Sequence, residues 1–262
     1  MSVVRLGAVD YLNARPLVHG LDRRPDLFRI RYDVPSRCAA LLHAGEIDAG
    51  IIPSIEYQRG PVDYRIVPDL GVISDGPVGS VAVFTRVPVR EIRRMALDTS
   101  SRASAGLTQV LCRDAWGIDP AFEALPPDPD VMLARCDAAL LIGDPALFLD
   151  AESRGLTKLD LGEAWTALTG LPFVWAVWAG RPGAVPPDAI AELQRARDRG
   201  VAAPGEVAAR WCAPEHAAFG ERYLRDNIKY RLGPREQAGL EKYYELAATH
   251  GLVPAAKPLA FY

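Results

Sequence analysis

The sequence has 262 residues, of which 49% are hydrophobic and 24% are charged, a balance typical of a globular protein. The 30 lysine and arginine residues and the 33 aspartate and glutamate residues give a formal net charge of −3. This charge argues against a nucleic-acid-binding protein, because such proteins usually carry a basic surface. The length is sufficient for one large domain or for two lobes.

Neither the N-terminal residues nor the cysteines indicate an exported or membrane protein. Residues 1–7 run directly into an expected strand and lack the pattern of a secretory signal, and no apolar run approaches the roughly 20 residues that cross a bilayer. Cys38, Cys112, Cys136 and Cys212 are far apart and form no CxxC pair, which predicts reduced thiols that pack in the core. We therefore expect a cytoplasmic protein, and no spacing of cysteine or histidine predicts a metal site.

The first third of the chain alternates strands with helices. Apolar runs predict strands at 3–9, 28–34, 47–52 and 78–84. Pro16 fits the first turn of a helix that runs to about Leu21. A second helix begins at Pro35, and its apolar positions follow the i, i+3, i+4 rule up to a C-terminal stop at Gly45.

The remainder begins with a similar alternation and becomes mainly helical. Strands are predicted at 94–97, 138–142 and 171–178, with helices at 105–114 and 131–136 and a further helix opened by Asp144 and Pro145. From Pro186 onwards, the apolar spacing is mainly that of helices.

Two segments of the chain follow the same scheme. In each, a helix leads through an aspartate, Asp48 or Asp137, into an apolar strand, and we expect these aspartates to accept hydrogen bonds from backbone N–H groups at the turn. The alternation predicts an α/β fold with mostly parallel, doubly wound sheets. The order of elements resembles the type II periplasmic-binding-protein fold, a hinged clamp of two lobes. We expect residues 1–84 and 177–262 to form the first lobe and residues 85–176 an inserted second lobe.

Small polar residues gather in the loops that follow the predicted strands, where ligands bind in such sheets. They are Asn13, Ser36, Ser54, Ser80, Thr99, Ser100, Ser101 and Ser104. Several lie near helix N-termini, whose free N–H groups and partial positive charge favour anions. Two lobes that each present such an end would suit a small ligand with two carboxylates. Each residue taken alone could equally be an ordinary helix cap.

Charged residues in the same regions are further candidates. Arg15, Arg37 and Arg102 lie near helix starts, where an arginine could clamp a carboxylate or simply be exposed to solvent. Glu56 follows Ser54 after the third strand and is a candidate acid or base. His43 lies beside apolar helix positions and is expected to have a packing role.

Several of these loops resemble the chorismate dehydratases of the futalosine route to menaquinone (the MqnA family). The similar blocks are Gly7–Leu17, Val34–Ser36, Gly45–Ser54, Gly79–Val81 and Asp98–Arg102. The resemblance covers essentially the whole chain. This chain departs from it at Asp10, where family members often carry serine, and at Ala103, where they often carry threonine.

The resemblance implies a cofactor-independent lyase that removes water from chorismate, a small dicarboxylate, to give 3-[(1-carboxyvinyl)oxy]benzoate. It implies that the substrate's own enolpyruvyl carboxylate is the base. By matching position, Asn13 and Ser80 would be the catalytic residues, and Thr99, Ser100 and Ser101 would supply hydroxyl and N–H groups from the second lobe. The expected substrate-binding set is Tyr11, Arg15, Ser36, Arg37, Ser54, Glu56, Thr99, Ser100, Ser101, Ser104, Gly143 and Asp144.

Other functions remain open on the sequence alone. A non-catalytic carboxylate-binding protein could have the same clamp. The sister enzyme 1,4-dihydroxy-6-naphthoate synthase (the MqnD family) shares the fold, but its opening loop differs from Tyr11-Leu12-Asn13, and it uses a histidine base. A ligand-sensing module is a further alternative, and the sequence does not decide between a monomer and a homodimer.

Overall fold

Two five-stranded sheets organise the chain in the computed structural model, which describes residues 3–262. The first sheet has the order β2-β1-β3-β10-β4 and the second has the order β7-β6-β8-β5-β9. The strands of the first sheet are β1 (Val4–Val9), β2 (Phe28–Asp33), β3 (Ala49–Pro53), β4 (Arg65–Ser74) and β10 (Phe173–Gly180). Those of the second are β5 (Val81–Thr85), β6 (Arg94–Asp98), β7 (Ala121–Leu125), β8 (Ala138–Ile142) and β9 (Thr157–Asp160). We call each sheet with its packed helices a lobe.

Ten α-helices surround these sheets in the part of the chain from Val3 onwards. They are α1 (Pro35–Ala44), α2 (Ser54–Arg59), α3 (Arg102–Asp114), α4 (Pro129–Arg135), α5 (Gly143–Leu147), α6 (Leu161–Thr169), α7 (Pro187–Ala202), α8 (Pro204–Trp211), α9 (Ala217–Asp226) and α10 (Pro234–Thr249). Short 3₁₀ helices occupy Leu12–Val18, Leu21–Arg23, Val89–Glu91 and Pro214–His216. No helix among the described residues is long and apolar enough to cross a membrane.

The two sheets repeat one topology, which confirms the duplication seen in the sequence. In each, two parallel pairings are followed by two antiparallel pairings, in the same order across the sheet. The expected α/β architecture is therefore present, with four strands of each sheet running in one direction and one strand running against them. The antiparallel strands are β10 and β5, each of which lies between a parallel strand and an edge strand.

The chain crosses between the sheets earlier than expected. The sequence placed residues 78–84 in the first lobe, but β5 pairs with β8 and β9 of the second sheet. The return was expected at 176/177, whereas all of β10 belongs to the first sheet. Both boundaries were misplaced because a fully buried strand has the same apolar composition in either sheet. Met1 and Ser2, the first residues of the expected first lobe, lie outside the described residues.

Three strands that the sequence did not predict, β4, β7 and β9, all lie at sheet edges. An edge strand pairs on one side only and tolerates residues that weaken the strand pattern. Pro68 and Gly71 lie within β4, and Asp69 has a positive φ of 61°. These residues interrupt the apolar pattern, and the sequence therefore did not predict β4.

The segment around Pro16 is a 3₁₀ helix from Leu12 to Val18 and not an α-helix that begins at Pro16. Proline has no N–H for the i−4 hydrogen bond and clashes with the preceding turn, so an α-helix through this position is disfavoured. Its apolar face, which includes Leu12 and Leu17, is buried. The segment carries Tyr11 and Asn13 to the carboxyl end of β1.

The paired aspartates hold equivalent places in the two lobes. Asp48 Oδ2 accepts the backbone N–H of Arg5 in β1 at 2.7 Å. Asp137 Oδ2 accepts those of Arg93 and Arg94 at the start of β6, each at 2.9 Å. Each carboxylate thus fastens a turn to β1 or β6, which hold the same place in the two sheets, and this confirms the structural role expected for both. The hydrogen bonds from Arg93 and Arg94 hold the pKa of Asp137 below its usual range.

We expect Asp137→Ala to lower the free energy of unfolding by about 1 kcal/mol at pH 7, because two N–H groups lose a charged acceptor. The depressed pKa means that this stabilisation is present above the usual aspartate pKa of about 4 and fades as the pH falls through the folded-state pKa. Urea unfolding across this pH range measures both effects.

Asp119→Ala is the matched control, because Asp119 is 75% exposed and makes one ion pair, with Arg113 at 3.4 Å. Its loss should cost less than about 0.5 kcal/mol. Equal stabilities of wild type and Asp137→Ala at pH 7 would contradict the role given to Asp137.

Candidate functional site

A small, partly open space lies between the lobes, where the loops at the strand ends meet. Its volume is about 30 Å³, enough for one or two water molecules. Its lining residues are Val9, Tyr11, Asn13, Ala14, Pro35, Ile51, Val72, Val81, Ser101, Ser104, Ile142, Gly143, Trp175 and Ala176. Pockets for small organic ligands usually measure roughly 300–1,000 Å³, so a ligand enters this space only if the lobes or their loops separate.

Tyr11 closes this space from the side of the first lobe. Its ring lies against Gly143 at the start of α5, and a Cβ on Gly143 would fall 2.8 Å from that ring. Burial raises the pKa of Tyr11 to about 12, and the nearby Ser100 side chain partly opposes this effect. The phenol therefore stays protonated at neutral pH and can donate a hydrogen bond.

The start of α3 forms the facing wall in the second lobe. Ser101 caps this helix, and its Oγ accepts the backbone N–H of Ser104 at 3.4 Å and the Ser104 hydroxyl at 3.1 Å. Both serines line the space between the lobes. The capping role that the sequence left open is therefore real for Ser101, and it holds the two hydroxyls beside the cavity.

Asp98 fixes the loop that precedes α3. Its buried carboxylate accepts the N–H of Ser100 at 2.7 Å and the N–H of Ile142 at 3.1 Å. Burial raises the pKa of Asp98, and these hydrogen bonds oppose the shift. The loop is thus tied to the end of β8, and Ser100 is held at the contact between the lobes.

Backbone N–H groups at two helix starts of the first lobe donate to the second lobe. Leu12 N–H donates to Asp144 Oδ1 at 3.0 Å, and Ser36 N–H donates to the Ser100 carbonyl at 2.9 Å. Burial raises the pKa of Asp144, and the Leu12 bond opposes this effect. In this closed arrangement, the donors expected to bind an anion are satisfied by the opposite lobe.

Ser80 lies just before β5 and is 1% exposed. Its Oγ is 2.6 Å from the hydroxyl oxygen of Tyr223 in α9. Burial raises the pKa of Tyr223, and the neighbouring side chains of Ser80 and Asn13 oppose this effect. Asn13 and Ser80, which are 67 positions apart in the sequence, therefore meet at one buried hydroxyl next to the cavity.

Arg15 lies away from this cavity. Its guanidinium is 3.5 Å from the Trp211 ring centre and pairs with Asp10, one of the positions that depart from the resembled family. Arg15 instead lines a separate space of about 140 Å³ with Tyr32 and Trp211. Burial lowers the pKa of Arg15, and its contacts favour a packing role over a carboxylate clamp.

Glu56 and Ser54 lie in α2, also outside the cavity lining. The Glu56 carboxylate is 1% exposed, and its Oε2 is 2.7 Å from Arg102 Nη1 at the start of α3. This ion pair joins the lobes. Glu56 and Arg102, both candidates for substrate contact, therefore bind each other. Ser54 is fully buried. His43 stacks on Tyr64 at 5.7 Å between ring centres, which agrees with the packing role expected for it.

Thr99 and Arg37 are exposed and do not line the cavity. Thr99 N–H donates to the Leu125 carbonyl at 3.2 Å, which directs this part of the loop towards β7. Within residues 3–262, no group of three or more histidine, cysteine, aspartate or glutamate side chains is arranged to bind a metal ion. Cofactor independence stays a prediction.

Two aromatic residues that the sequence did not assign to the site lie at it. Trp175 lines the cavity from β10, and its Nε1 donates to Ser74 Oγ at 3.1 Å. The ring is both buried and cavity-lining. Tyr223 lies more than 140 residues after Ser80 in an amphipathic helix, where a buried tyrosine is indistinguishable from ordinary core.

The paired sheets and the space between them define a two-lobed α/β protein of the periplasmic-binding-protein type. A solved structure of a protein from Archaeoglobus fulgidus superposes with a TM-score of 0.75 at 19% identity and covers 95% of this chain and 98% of its own. The alkanesulfonate-binding protein SsuA of Xanthomonas axonopodis pv. citri, solved with MOPS bound, gives a TM-score of 0.71 at 17% identity. The match covers 98% of this chain and 96% of SsuA. The fold expected from the sequence is confirmed.

Sequence comparison then identifies the family. A family model described as menaquinone biosynthesis matches residues 4–249. The chorismate dehydratase of Thermus thermophilus is 32% identical in an alignment of 259 positions. This alignment covers 92% of this chain and 93% of the relative. The chain belongs to the menaquinone-biosynthesis family, as the resemblance predicted.

Gly143 offers a test of the Tyr11 contact. Its φ is +66°, and the added Cβ would strike the Tyr11 ring. Gly170 has a φ of +71° with nothing within 4 Å of such a Cβ, so Gly170→Ala reports the cost of the backbone conformation alone, about 1 kcal/mol. We expect Gly143→Ala to lower the free energy of unfolding, measured in urea, by about 1–3 kcal/mol more than Gly170→Ala does. The extra loss comes from overpacking against the Tyr11 ring. Equal losses would mean that Tyr11 does not pack on Gly143.

Proposed function

We propose that this protein is a chorismate dehydratase that converts chorismate to 3-[(1-carboxyvinyl)oxy]benzoate and water. The observation that carries the proposal is the meeting of Asn13 and Ser80 at one buried hydroxyl beside the interlobe cavity, in a chain of the menaquinone-biosynthesis family. Its Thermus relative bears the name of this activity. The same two residues were expected from the sequence to be catalytic.

The reaction requires little beyond positioning. The hydrogen on the ether-bearing ring carbon leaves as a proton, and its bonding electrons form a ring double bond. The adjacent C–O bond breaks, the oxygen takes the bonding pair, and the departing hydroxyl leaves as water with that proton. The ring becomes aromatic, which supplies the driving force. A protein that aligns the breaking bonds and stabilises the developing charge can therefore be effective.

The cavity lining supports a base supplied by the substrate. None of the 14 lining residues among the described positions is an aspartate, glutamate, histidine or lysine. The enolpyruvyl carboxylate of chorismate is held close to the ring hydrogen by the ether link and can accept it. This lining also disfavours the sister naphthoate synthase with its histidine base, because His43 packs on Tyr64 outside the lining.

The polar groups at the cavity suit the developing charges. Asn13 and Ser80 would hold the departing hydroxyl and a nearby carboxylate, and the Ser101 and Ser104 hydroxyls would face the other end of the substrate. In an opened cleft, the N–H groups of Leu12 and Ser36 become free to donate to a carboxylate. Tyr11 and Trp175 supply aromatic walls for the ring.

The proposal extends to the compartment and the partners. Cys38, Cys112, Cys136 and Cys212 are all free thiols, and the first three are buried; thiols persist in a reducing compartment. We therefore assign the reaction to the cytoplasm, with chorismate as the partner and no nucleic acid. The alternative, a non-catalytic carboxylate-binding protein, would bind chorismate and return it unchanged.

The direct test is incubation of the purified protein with chorismate in chelator-treated buffer, with products separated by chromatography and identified by mass. We expect loss of one water and formation of 3-[(1-carboxyvinyl)oxy]benzoate. Tight binding with full recovery of chorismate would favour the binding-protein alternative and overturn the proposal.

We expect Asn13→Ala and Ser80→Ala each to lower kcat by about 10²–10³, the usual effect of removing one group that stabilises the transition state. Melting temperatures should change little by comparison. Ser153→Ala, which removes a hydroxyl from an exposed turn of the second lobe, is the control and should retain the wild-type rate. Wild-type rates in both cavity variants would show that the site lies elsewhere.

A further inference from the structure

Tyr223 is a buried polar residue for which the reaction described above has no stated use. Its side chain comes from α9, is 3% exposed, and places its hydroxyl 2.6 Å from Ser80 Oγ. Helix α9 packs on α8 and on the 3₁₀ segment that carries Asn13, so it belongs to the first lobe. Ser80 precedes β5 of the second lobe. The hydrogen bond therefore joins the first lobe to the start of β5 in the second.

The direction of this hydrogen bond follows from the chemistry of the two hydroxyls. A phenol is a much stronger acid than an aliphatic alcohol and is the better donor. Burial raises the pKa of Tyr223, so its proton remains in place throughout the neutral range. Tyr223 donates and Ser80 Oγ accepts.

When Ser80 Oγ accepts this hydrogen bond, the hydroxyl hydrogen of Ser80 remains available to donate to another group. The backbone carbonyl of Ser80 is already bonded to Gly143 N–H at 2.8 Å, and Oγ faces Tyr223. Val81, Asn13 and Gly143, the immediate surroundings of Ser80, all line the cavity. The free hydroxyl hydrogen of Ser80 therefore lies directly behind this lining, where it can reach a ligand that enters the space between the lobes.

We propose that Tyr223 is a positioning residue that fixes Ser80 as a hydrogen-bond donor to the departing hydroxyl of the substrate when the lobes close. This inference rests on the proposed function, because it gives Ser80 a definite orientation within that reaction. The departing oxygen acquires negative charge as the C–O bond breaks. A donor already oriented towards it stabilises that charge without further reorganisation.

Tyr223→Phe removes the hydroxyl and keeps the ring. We expect kcat to fall about tenfold or more with KM within about twofold, because the lost orientation affects the transition state and not substrate binding. Tyr230→Phe is the matched control: Tyr230 is also buried, but its hydroxyl has no hydrogen-bond partner among residues 3–262. That variant should keep the wild-type kcat.

The double variant Tyr223→Phe/Ser80→Ala separates positioning from a general structural role. If Tyr223 acts through Ser80, adding Tyr223→Phe to Ser80→Ala should cause no further loss of kcat. Multiplied losses in the double variant, or a wild-type kcat in Tyr223→Phe, would overturn the inference. A wild-type enzyme that leaves chorismate unchanged would instead overturn the proposed function.

Fluorinated tyrosine at position 223 covers the case in which Tyr223→Phe fails to fold. The substitution preserves the shape of the side chain but makes the phenol more acidic. On ionisation the phenolate can only accept, so the Ser80 hydrogen turns towards it and away from the substrate. We expect kcat to fall on the alkaline side of the pH profile at a pH where the unsubstituted enzyme keeps its rate. Identical profiles would contradict the role of Tyr223.

Discussion

Polar contacts cross the lobe boundary beside the apolar packing that the two lobes share. Leu12 N–H binds Asp144, Ser36 N–H binds the Ser100 carbonyl, and Glu56 pairs with Arg102. Water competes for such groups when the lobes separate, so each contact contributes modestly to closure.

Two of these contacts use the donors that an anionic substrate would seek. Leu12 and Ser36 lie at helix starts, where N–H groups lack intrahelical partners. In the closed arrangement, the second lobe satisfies them with a carboxylate and a carbonyl. A substrate carboxylate would take over these donors, so substrate binding would exchange contacts between the lobes for contacts through the substrate. This exchange links recognition of the dicarboxylate to the position of the lobes.

The duplication explains why the site is built from two similar halves. In each lobe the strand next to the parallel edge strand ends in a polar loop that opens a helix: β1 leads to Tyr11 and Asn13, and β6 leads to Ser101 and α3. Asp48 and Asp137 anchor equivalent turns at the opposite ends of these sheets. The anchors lie far from the cleft, which leaves the strand-end loops free to differ and to carry the chemistry.

The central elements of both sheets could be predicted because buried parallel strands have uninterrupted apolar runs. The edge strand β4 could not, because Pro68 and Gly71 interrupt its pattern. Local sequence placed Asn13, Ser101 and Ser104 at the cleft through their helix starts. It could not place Arg15, whose stacking on Trp211 depends on a helix almost 200 residues later. Tyr223 was missed for the same reason, since its partner Ser80 is distant in sequence.

The central claim is that the space between the lobes holds chorismate at Asn13 and Ser80. A crystal structure of the slow variant Ser80→Ala grown with chorismate tests it most directly. The account predicts that the ligand lies between the lobes, in contact with Asn13 and the start of α3, in a space enlarged from the present 30 Å³. Chorismate bound elsewhere, with an unoccupied cleft of unchanged size, would contradict it.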